Sequence, residues 1–260
     1  MTYSAGIFAR PEATLAEAQE AKYDALCRKL DLQPGMRVLE IGCGWGGFAE
    51  HAAARYGCKV TATTISGRQF EYARDRVMNA GLGKQVDIQA VDYRDLRGTY
   101  DRVVSIEMVE AIGHRWLGRF AEVCSERLAP DGALGLQAIT IDDRQYKRAL
   151  KTVDFIKRYV FPGSFIPSVN ALHDAFATRT DMRLLDHHDI GLDYAETLAQ
   201  WRARFLDARD EVQAMGFDDA FLRLWDYYFA YCEGGFRERV LGDVQMVFAK
   251  PRSALVPQRC

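Results

Sequence analysis

The sequence predicts an α/β protein in which a doubly wound, mostly parallel, Rossmann-like sheet carries a helical, aromatic cap. Three observations predict it. Short apolar runs alternate with amphipathic stretches from Arg37 to Ile139, at the spacing of βαβ units. The first run, Val38 to Ile41, passes straight into Gly42-Cys43-Gly44-Trp45-Gly46-Gly47, a glycine turn between strand and helix. Beyond Thr140 the alternation gives way to charged and then strongly aromatic segments with helical character.

Taken in order, Met1 to Arg10 has no clear period but carries Tyr3, Ser4 and Phe8. Thr14-x-x-Glu17 is a capping box for a helix through about Leu30, with Ala18, Ala21, Ala25, Leu26 and Leu30 on its apolar side. Gln33-Pro34-Gly35 turns the chain into a strand over Arg37 to Ile41. A helix follows over Phe48 to Tyr56, a strand over Lys59 to Thr63, and a helix over Gln69 to Ala80 that ends at Gly81. Val86 to Ala90 and Tyr100 to Ile106 are the next strands, leading into Asp92-Tyr93 and Glu107-Met108-Val109-Glu110. A helix near Trp116 to Leu128 is expected to stop at Pro130-Asp131-Gly132, ahead of a fifth strand over Ala133 to Ile139.

In the second half, Asp142 to Tyr159 reads as charged and mainly helical, Phe161 to Pro167 as an aromatic loop, and Asn170 to Thr178 as helix. Arg183 to Ile190 and Val244 to Ala249 supply the last two strands, with the aromatic helical stretch Tyr194 to Phe229 between them. The expectation is one domain over 1–260, with cap insertions near 142–180 and 194–236 above the sheet's ligand edge. The tail from Pro251 to Cys260 is expected to fray.

Composition narrows the function classes. Hydrophobic content of 48% and charged content of 27% suit a globular chain with a substantial core. A net charge of −2 gives no case for nucleic-acid binding. No uncharged apolar run approaches the ~20 residues of a membrane span, and Arg10 interrupts a stretch too short for a signal peptide. A cytoplasmic protein is the default. Cys27, Cys43, Cys58, Cys124, Cys232 and Cys260 lie far apart without a C-x-x-C pair, which argues against a zinc site and a disulfide framework. They read as small buried hydrophobes.

The glycine turn fits two cofactors. Glycines allow left-handed backbone and let a ligand lie against bare main chain. Gly42, Gly44 and Gly47 match the dinucleotide pattern G-x-G-x-x-G, which wants an acid about twenty residues on for the ribose hydroxyls. Here the second strand runs into Thr64-Ile65-Ser66 with no acid, while Glu40 stands ahead of the glycines. An acid followed by G-x-G-x-G resembles the nucleotide loop of Class I S-adenosylmethionine (SAM) methyltransferases, which favours SAM over a nicotinamide dinucleotide.

The ordered motifs together resemble the cyclopropane-fatty-acid synthase family, which includes the mycolic acid cyclopropane synthases. The similarity runs from about Thr2 to Phe248. It rests on Tyr3-Ser4, Val38 to Gly47, Thr64-Ile65-Ser66 with Gln69, Asp92 to Leu96 and Ser105 to Gly113. Phe161-Pro162-Gly163, Tyr194-x-x-Thr197-Leu198-x-x-Trp201 and Gly235-Phe236-Arg237 complete it. The resemblance implies transfer of a SAM methyl group to the cis double bond of an unsaturated fatty acyl chain, on a phospholipid or an acyl carrier, then proton loss and ring closure, with a bound bicarbonate ion as base. Carried over by position, Tyr3, Ser4, Gly42, Gly44, Thr64, Gln69 and Asp92 would hold SAM; Glu40, from its place before the glycines, is the candidate for the ribose, and Tyr93 beside Asp92 is a further candidate cofactor residue. Glu110 and Tyr194 would hold bicarbonate, with a backbone group of Ile139. Two positions depart: Ala5 stands where the family has cysteine, and Gln137 where it has the bicarbonate-binding histidine. Gln137 still offers an amide donor and acceptor. Family members also commonly carry residues, or a whole domain, ahead of the Tyr-Ser pair.

The chemistry asks for aligned reactants, exclusion of water, and π faces or a carboxylate around a carbocation. It needs no metal, and His114, His187 and His188 show no ligand spacing. Ordinary structural roles compete at each position. Glu40 is also readable as a solvated strand end, Glu110 as a helix cap, Tyr194 as a core aromatic and Gln137 as a satisfied interior amide. Trp201, Phe205, Trp225, Tyr227 and Phe229 read as core rather than cage, with Tyr228 and Phe236 nearer the site by resemblance. Alternative functions are the same methyl transfer giving a methyl-branched or methylene lipid, a small-molecule N- or O-methyltransferase, and a SAM-binding subunit without turnover. Lys147, Arg148, Lys151, Lys157 and Arg158 beside Phe161 to Phe165 are readable as a peripheral contact with the inner membrane face or as a solvated helix face.

Overall fold

The computed structural model describes residues 1–256. The expected tail falls partly outside them; within them Leu255 packs against the core. Among the described residues the chain forms one seven-stranded sheet in the order β3-β2-β1-β4-β5-β7-β6. The strands are β1 (Arg37–Ile41), β2 (Lys59–Thr63), β3 (Val86–Gln89), β4 (Tyr100–Ile106), β5 (Leu128–Ile141), β6 (Arg183–Asp189) and β7 (Leu241–Ala249). Pairings among the first five are parallel, and β7 runs antiparallel between β5 and β6. The doubly wound, mostly parallel sheet is as the sequence predicts.

Parallel strands buried on both faces need apolar residues at successive positions, and β1 supplies Val38, Leu39 and Ile41, all buried. Val38 faces one core, with Leu26, Leu30, Phe48 and Val60. Leu39 and Ile41 face the other, with Phe120, Leu136, Phe176 and Phe248. The helices on the first face are α1 (Leu15–Lys29), α2 (Gly47–Tyr56) and α3 (Gly67–Asn79). The capping box at the start of α1 is present in full: the Thr14 hydroxyl accepts from Glu17 N–H while the Glu17 carboxylate accepts from Thr14 N–H. The second face is covered by α4 (Leu117–Glu126) and α6 (Val169–Arg179).

Two expectations are corrected and one is refined. The fifth strand begins at Leu128, so Pro130 to Gly132 lies within it rather than ending the helix before it. Between Tyr100↔Leu128 and Arg102↔Ala133 the ladder slips, and the irregularity accommodates a proline that cannot donate to a regular ladder. Asp142 to Tyr159 is mainly helical, as expected, but in two pieces. A short α5 (Asp143–Ala149) stops where the Thr152 hydroxyl bonds back to the Arg148 carbonyl, and Lys157 Nζ caps the Ala149 and Thr152 carbonyls. A wide π-type turn then covers Ile156–Val160. Of the first expected cap segment, α6 lies against the sheet, Phe176 stacking on Phe248 at 4.2 Å between ring centroids.

The stretch after Ile190 divides into α7 (Gly191–Asp207), α8 (Arg209–Ala214) and α9 (Asp219–Arg237). A turn at Gly216, with φ +95°, separates the last two. Helices α7 and α9 pack on each other around a third apolar cluster that includes Ile190, Tyr194, Leu198, Phe229, Phe236 and, from the N-terminal segment, Ala5.

Candidate functional site

The carboxyl ends of β1 and β4 open onto a cleft lined by residues 1–4, Tyr23, Glu40, Gly42 to Trp45, Gly47, Ile106 and Glu107. Its floor is the glycine turn. Gly42 has φ +84°, and a Cβ there would run into the Met108 side chain. Gly44 has φ +52°, and a Cβ would come within 3.2 Å of the Tyr3 ring. Both positions need glycine for space as well as for backbone.

Several residues predicted to hold SAM meet here. Thr64 Oγ1 donates to Gln69 Oε1 at 2.8 Å, and Gln69 Nε2 donates to the Tyr3 hydroxyl at 3.0 Å. This chain links the end of β2, the start of α3 and the N-terminal segment along one rim. Glu40 is no solvated strand end. It is 2% exposed and accepts a hydrogen bond from the backbone N–H of Ala49 in the first turn of α2. Burial pushes its carboxyl up to about 8. Its Oε2 is buried with no protein partner while the residue lines the cleft. Asp92 instead caps a single turn, bound by Arg94 through backbone N–H, Nε and Nη2. The Tyr93 ring meets Phe120 edge-on in the second core.

The other half of the site lies where β4, β5 and β7 run side by side, and register assembles it. Ile106 pairs with Gln137, Gln137 with Gln245, and Ile139 with Asp243. Gln245 Nε2 donates to Gln137 Oε1 at 3.1 Å, and Gln137 Nε2 donates to Asp243 Oδ2 at 3.1 Å. Gln137, Asp243 and Gln245 are fully buried. One residue beyond β4, Glu107 has φ +48°, a left-handed conformation costing a non-glycine residue on the order of 1 kcal/mol. Its carboxylate gathers donors from three directions. Oε1 accepts from Ala5 N–H at 2.9 Å and Gln137 Nε2 at 2.8 Å, and Oε2 accepts from the Tyr194 hydroxyl at 3.0 Å.

Glu110 lies one turn further on. Its Oε1 accepts from Ile139 N–H at 2.6 Å, while Oε2 is buried without a partner. Burial, with the Glu107 charge beside it, pushes its carboxyl up to about 8. Asp243 is also raised, by burial and by Glu107. Lys22, fully buried on α1, faces this concentration of carboxyls. It donates to Ser4 Oγ at 2.6 Å and lies within the field of Glu107, Asp243 and Glu40. Burial lowers its ammonium to about 8 in spite of those neighbours. Sequence reasoning missed Glu107, Asp243 and Lys22 as site residues. For Lys22 the signal was available: it shares the i, i+4 stripe of Ala18 and Leu26, where a lysine is out of place.

Aromatic rings roof this carboxyl group. Tyr194 stacks on Phe236 at 4.5 Å and meets Trp201 edge-on at 6.2 Å. Tyr228, against Trp225 and Phe161, is near enough to Glu107 that the carboxylate raises its phenol further. Trp201, Phe205, Trp225 and Phe229 pack in the third cluster, as expected of core rings, whereas Tyr227, also expected in the core, is exposed. The N-terminal segment bridges the two halves. Besides Tyr3, Ser4 and Ala5, its Gly6 N–H donates to Thr197 Oγ1 at 3.1 Å and its Phe8 N–H to Asp193 Oδ1 at 2.8 Å, both on α7. Of the expected basic and aromatic face, Lys157 turns inward and Phe165 is 4% exposed in the core. Lys151, Arg158, Tyr159 and Phe161 remain at the surface.

A sheet in this order, reversed at β7 and carrying a glycine loop after β1, defines a Class I SAM methyltransferase fold. The chain belongs to the mycolic acid cyclopropane synthetase family, which it matches over residues 1–246, a family of SAM-dependent lipid methyltransferases and cyclopropane synthases. It is 41% identical over 252 residues to the tuberculostearic acid methyltransferase UfaA1 of Mycobacterium tuberculosis, covering 94% of this chain and 59% of that protein. It is 38% identical over 236 residues to the cyclopropane-fatty-acyl-phospholipid synthase of Escherichia coli K12, covering 91% and 59%. The chain thus spans about three fifths of the length of these relatives. Among solved structures it is similar to the cyclopropane synthase MmaA2 from Mycobacterium tuberculosis, with TM-score 0.89 and 30% identity over 96% of this chain and 90% of that one. It is also similar to the mycolic acid cyclopropane synthase CmaA1 complexed with SAH and CTAB, with TM-score 0.88 and 28% identity over the same shares.

Proposed function

We propose that this chain is a SAM-dependent C-methyltransferase acting on the cis double bond of an unsaturated acyl chain in a phospholipid, with a cyclopropane fatty acid as product. The observation that carries the proposal is the junction at Glu107. One carboxylate lines the cleft at the glycine loop and is held by Tyr194 of the aromatic roof. A cofactor site and an aromatic, carboxylate-bearing site therefore share a wall.

The cleft fits SAM on two features: a buried Glu40 oxygen lacking a partner, suited to a ribose hydroxyl, and a glycine floor that a Cβ would fill. Glu40, Gly42, Gly44, Tyr3, Ser4, Thr64 and Gln69 would hold it, with Asp92 and Tyr93 at the end of β3 beyond the cleft lining. Bound there, SAM supplies an electrophilic methyl group. The protein's own residues do the rest. Tyr194, Phe236 and Tyr228 present π faces to a positive centre, and the Glu107 carboxylate sets a negative potential beside it. The apolar rings of the roof keep water away from an electron-deficient carbon.

A second product is favoured by Ala5 and Gln137, the two departures that rebuild the proton-accepting end of the site: loss of a different proton would leave a methylene or methyl-branched chain. The exposed rings of Tyr159, Phe161, Tyr227 and Tyr231, with Lys151 and Arg158 nearby, support a peripheral encounter with a bilayer. Among the described residues no helix is long and apolar enough to cross a membrane. The test is expression of the chain in cells fed methionine with a ¹³C methyl group, then lipid extraction and proton NMR. Upfield ring protons on a labelled acyl chain are the expected result. Labelled olefinic methylene or methyl signals would establish the second product, and unlabelled lipid with label in a soluble metabolite would overturn both.

A further inference from the structure

Building on that methyltransferase reading, we propose that the carboxylate of Glu107 takes the place of the bicarbonate ion implied by the family resemblance, so that the proton acceptor is part of the chain. The resemblance places such an ion among Glu110, Tyr194 and the Ile139 backbone, beside Ala5 and Gln137. The donors of Tyr194, Gln137, Ala5 and Ile139 are already engaged. Tyr194 O–H and Gln137 Nε2 donate to Glu107, as does the Ala5 N–H, and Ile139 N–H donates to Glu110. The second Gln137 proton serves Asp243. A free anion would have to displace Glu107 from three hydrogen bonds and then sit among Glu107, Glu110 and Asp243, where burial already disfavours negative charge.

Glu107 meets the geometric demands on such a base. Its left-handed backbone at the end of β4 turns the side chain toward the roof, and its donors come from β5, α7 and the N-terminal segment, which fix the carboxylate plane. The residue is half-buried and lines the cofactor cleft, so the carboxylate borders the ligand space. Lys22 supplies the buried positive charge that keeps an anion tolerable there. In the reaction the alkene π pair bonds to the methyl carbon as its bond to sulfur breaks. A C–H bond of the resulting cation then breaks toward Glu107. The C–H electron pair closes the ring or forms a C=C bond, and the neutral glutamic acid returns its proton to water after product leaves.

The experiment follows ¹³C-labelled bicarbonate by NMR in the presence of the SAM-loaded chain, and measures turnover in buffer stripped of carbon dioxide. Wild type is expected to bind no bicarbonate and to keep its rate. Glu107→Gln keeps the shape but not the basicity, and should lose about 100-fold in rate with SAM affinity unchanged and no rescue by bicarbonate. Glu107→Gly suits the left-handed backbone and opens the site; it should bind bicarbonate and recover about tenfold of its lost rate on adding it. Bicarbonate binding to wild type, a wild-type rate that collapses on stripping, or a fully active Glu107→Gln would overturn the inference. If the Gly variant does not fold, wild type and the Gln variant decide. If no lipid is methylated at all, the methyltransferase reading falls, while the NMR binding result still decides whether Glu107 excludes the ion.

Discussion

At the ends of β1 and β2 the ligand edge is lined by bare backbone, a glycine turn and short polar side chains, whereas at the ends of β4, β5 and β7 it is lined by buried carboxyls and amides. The first half takes its specificity from a few consecutive residues: Gly42 and Gly44 act through what they lack, and Thr64, Gln69 and Tyr3 close a rim. The second half is assembled from residues more than 100 positions apart, Ala5 with Glu107 and Gln137 with Asp243. The difference is one of energetics. A glycine floor costs little to maintain. A cluster of carboxyls around one lysine is costly to bury and is kept only by mutual compensation.

Disturbing the acidic half should have the largest effect. Lys22→Met removes its buried cation and is expected to cost about 3–5 kcal/mol in urea unfolding. Adding Glu107→Gln should return part of that loss, and strict additivity of the two changes would remove Lys22 as the counter-charge. Breaking the glycine half should act on binding. Gly42→Ala drives a methyl into Met108 in a left-handed backbone, and calorimetry should show SAM affinity down by about 100-fold, roughly 2.7 kcal/mol. Tyr194→Phe sharpens the contrast, since it removes one hydrogen bond to Glu107 without touching the glycine turn. Turnover should drop by about 10- to 100-fold at constant SAM affinity, with a stability loss of about 1 kcal/mol.

The pH dependence of stability gives a separate check on the buried carboxyls. Glu40 and Glu110 titrate near 8 in the folded chain and at ordinary carboxylate values when unfolded, so the folded state holds more protons across that interval. Stability from these groups is therefore full below about pH 4.5 and is lost as pH rises toward 8. Lys22 acts oppositely between about 8 and its ordinary value, where the unfolded chain holds the extra proton and stability rises with pH. Thermal midpoints between pH 5 and 8 should fall with pH, and Glu110→Gln should flatten that slope. An unaltered slope in the variant would mean that Glu110 is charged throughout.

The two halves also differ in how far the sequence disclosed them. The Val38 to Gly47 run, the capping box at Thr14 and the alternation through Ile139 are local signals, and the sheet follows from them. The break at Thr152 and the strand start at Leu128 were missed because they depend on Lys157 reaching back to two carbonyls and on a ladder slip opposite Tyr100. Glu110, Tyr194, Gln137 and Ile139 were placed together by resemblance, and in the structure they do converge. Glu107, at their centre, was visible only as one of two acids after a strand. Nothing local marks which of Glu107 and Glu110 collects the donors, because the choice is made by a left-handed backbone and by Ala5 arriving from the far end of the chain.

That arriving segment ties the two halves into one mechanical unit. From Tyr3 to Phe8, successive residues fasten to Gln69 on α3, Lys22 on α1, Glu107 after β4, then Thr197 and Asp193 on α7. Six residues of extended chain thus work as a zipper across the opening. The glycine half and the acidic half share one short strap, joined to each by hydrogen bonds.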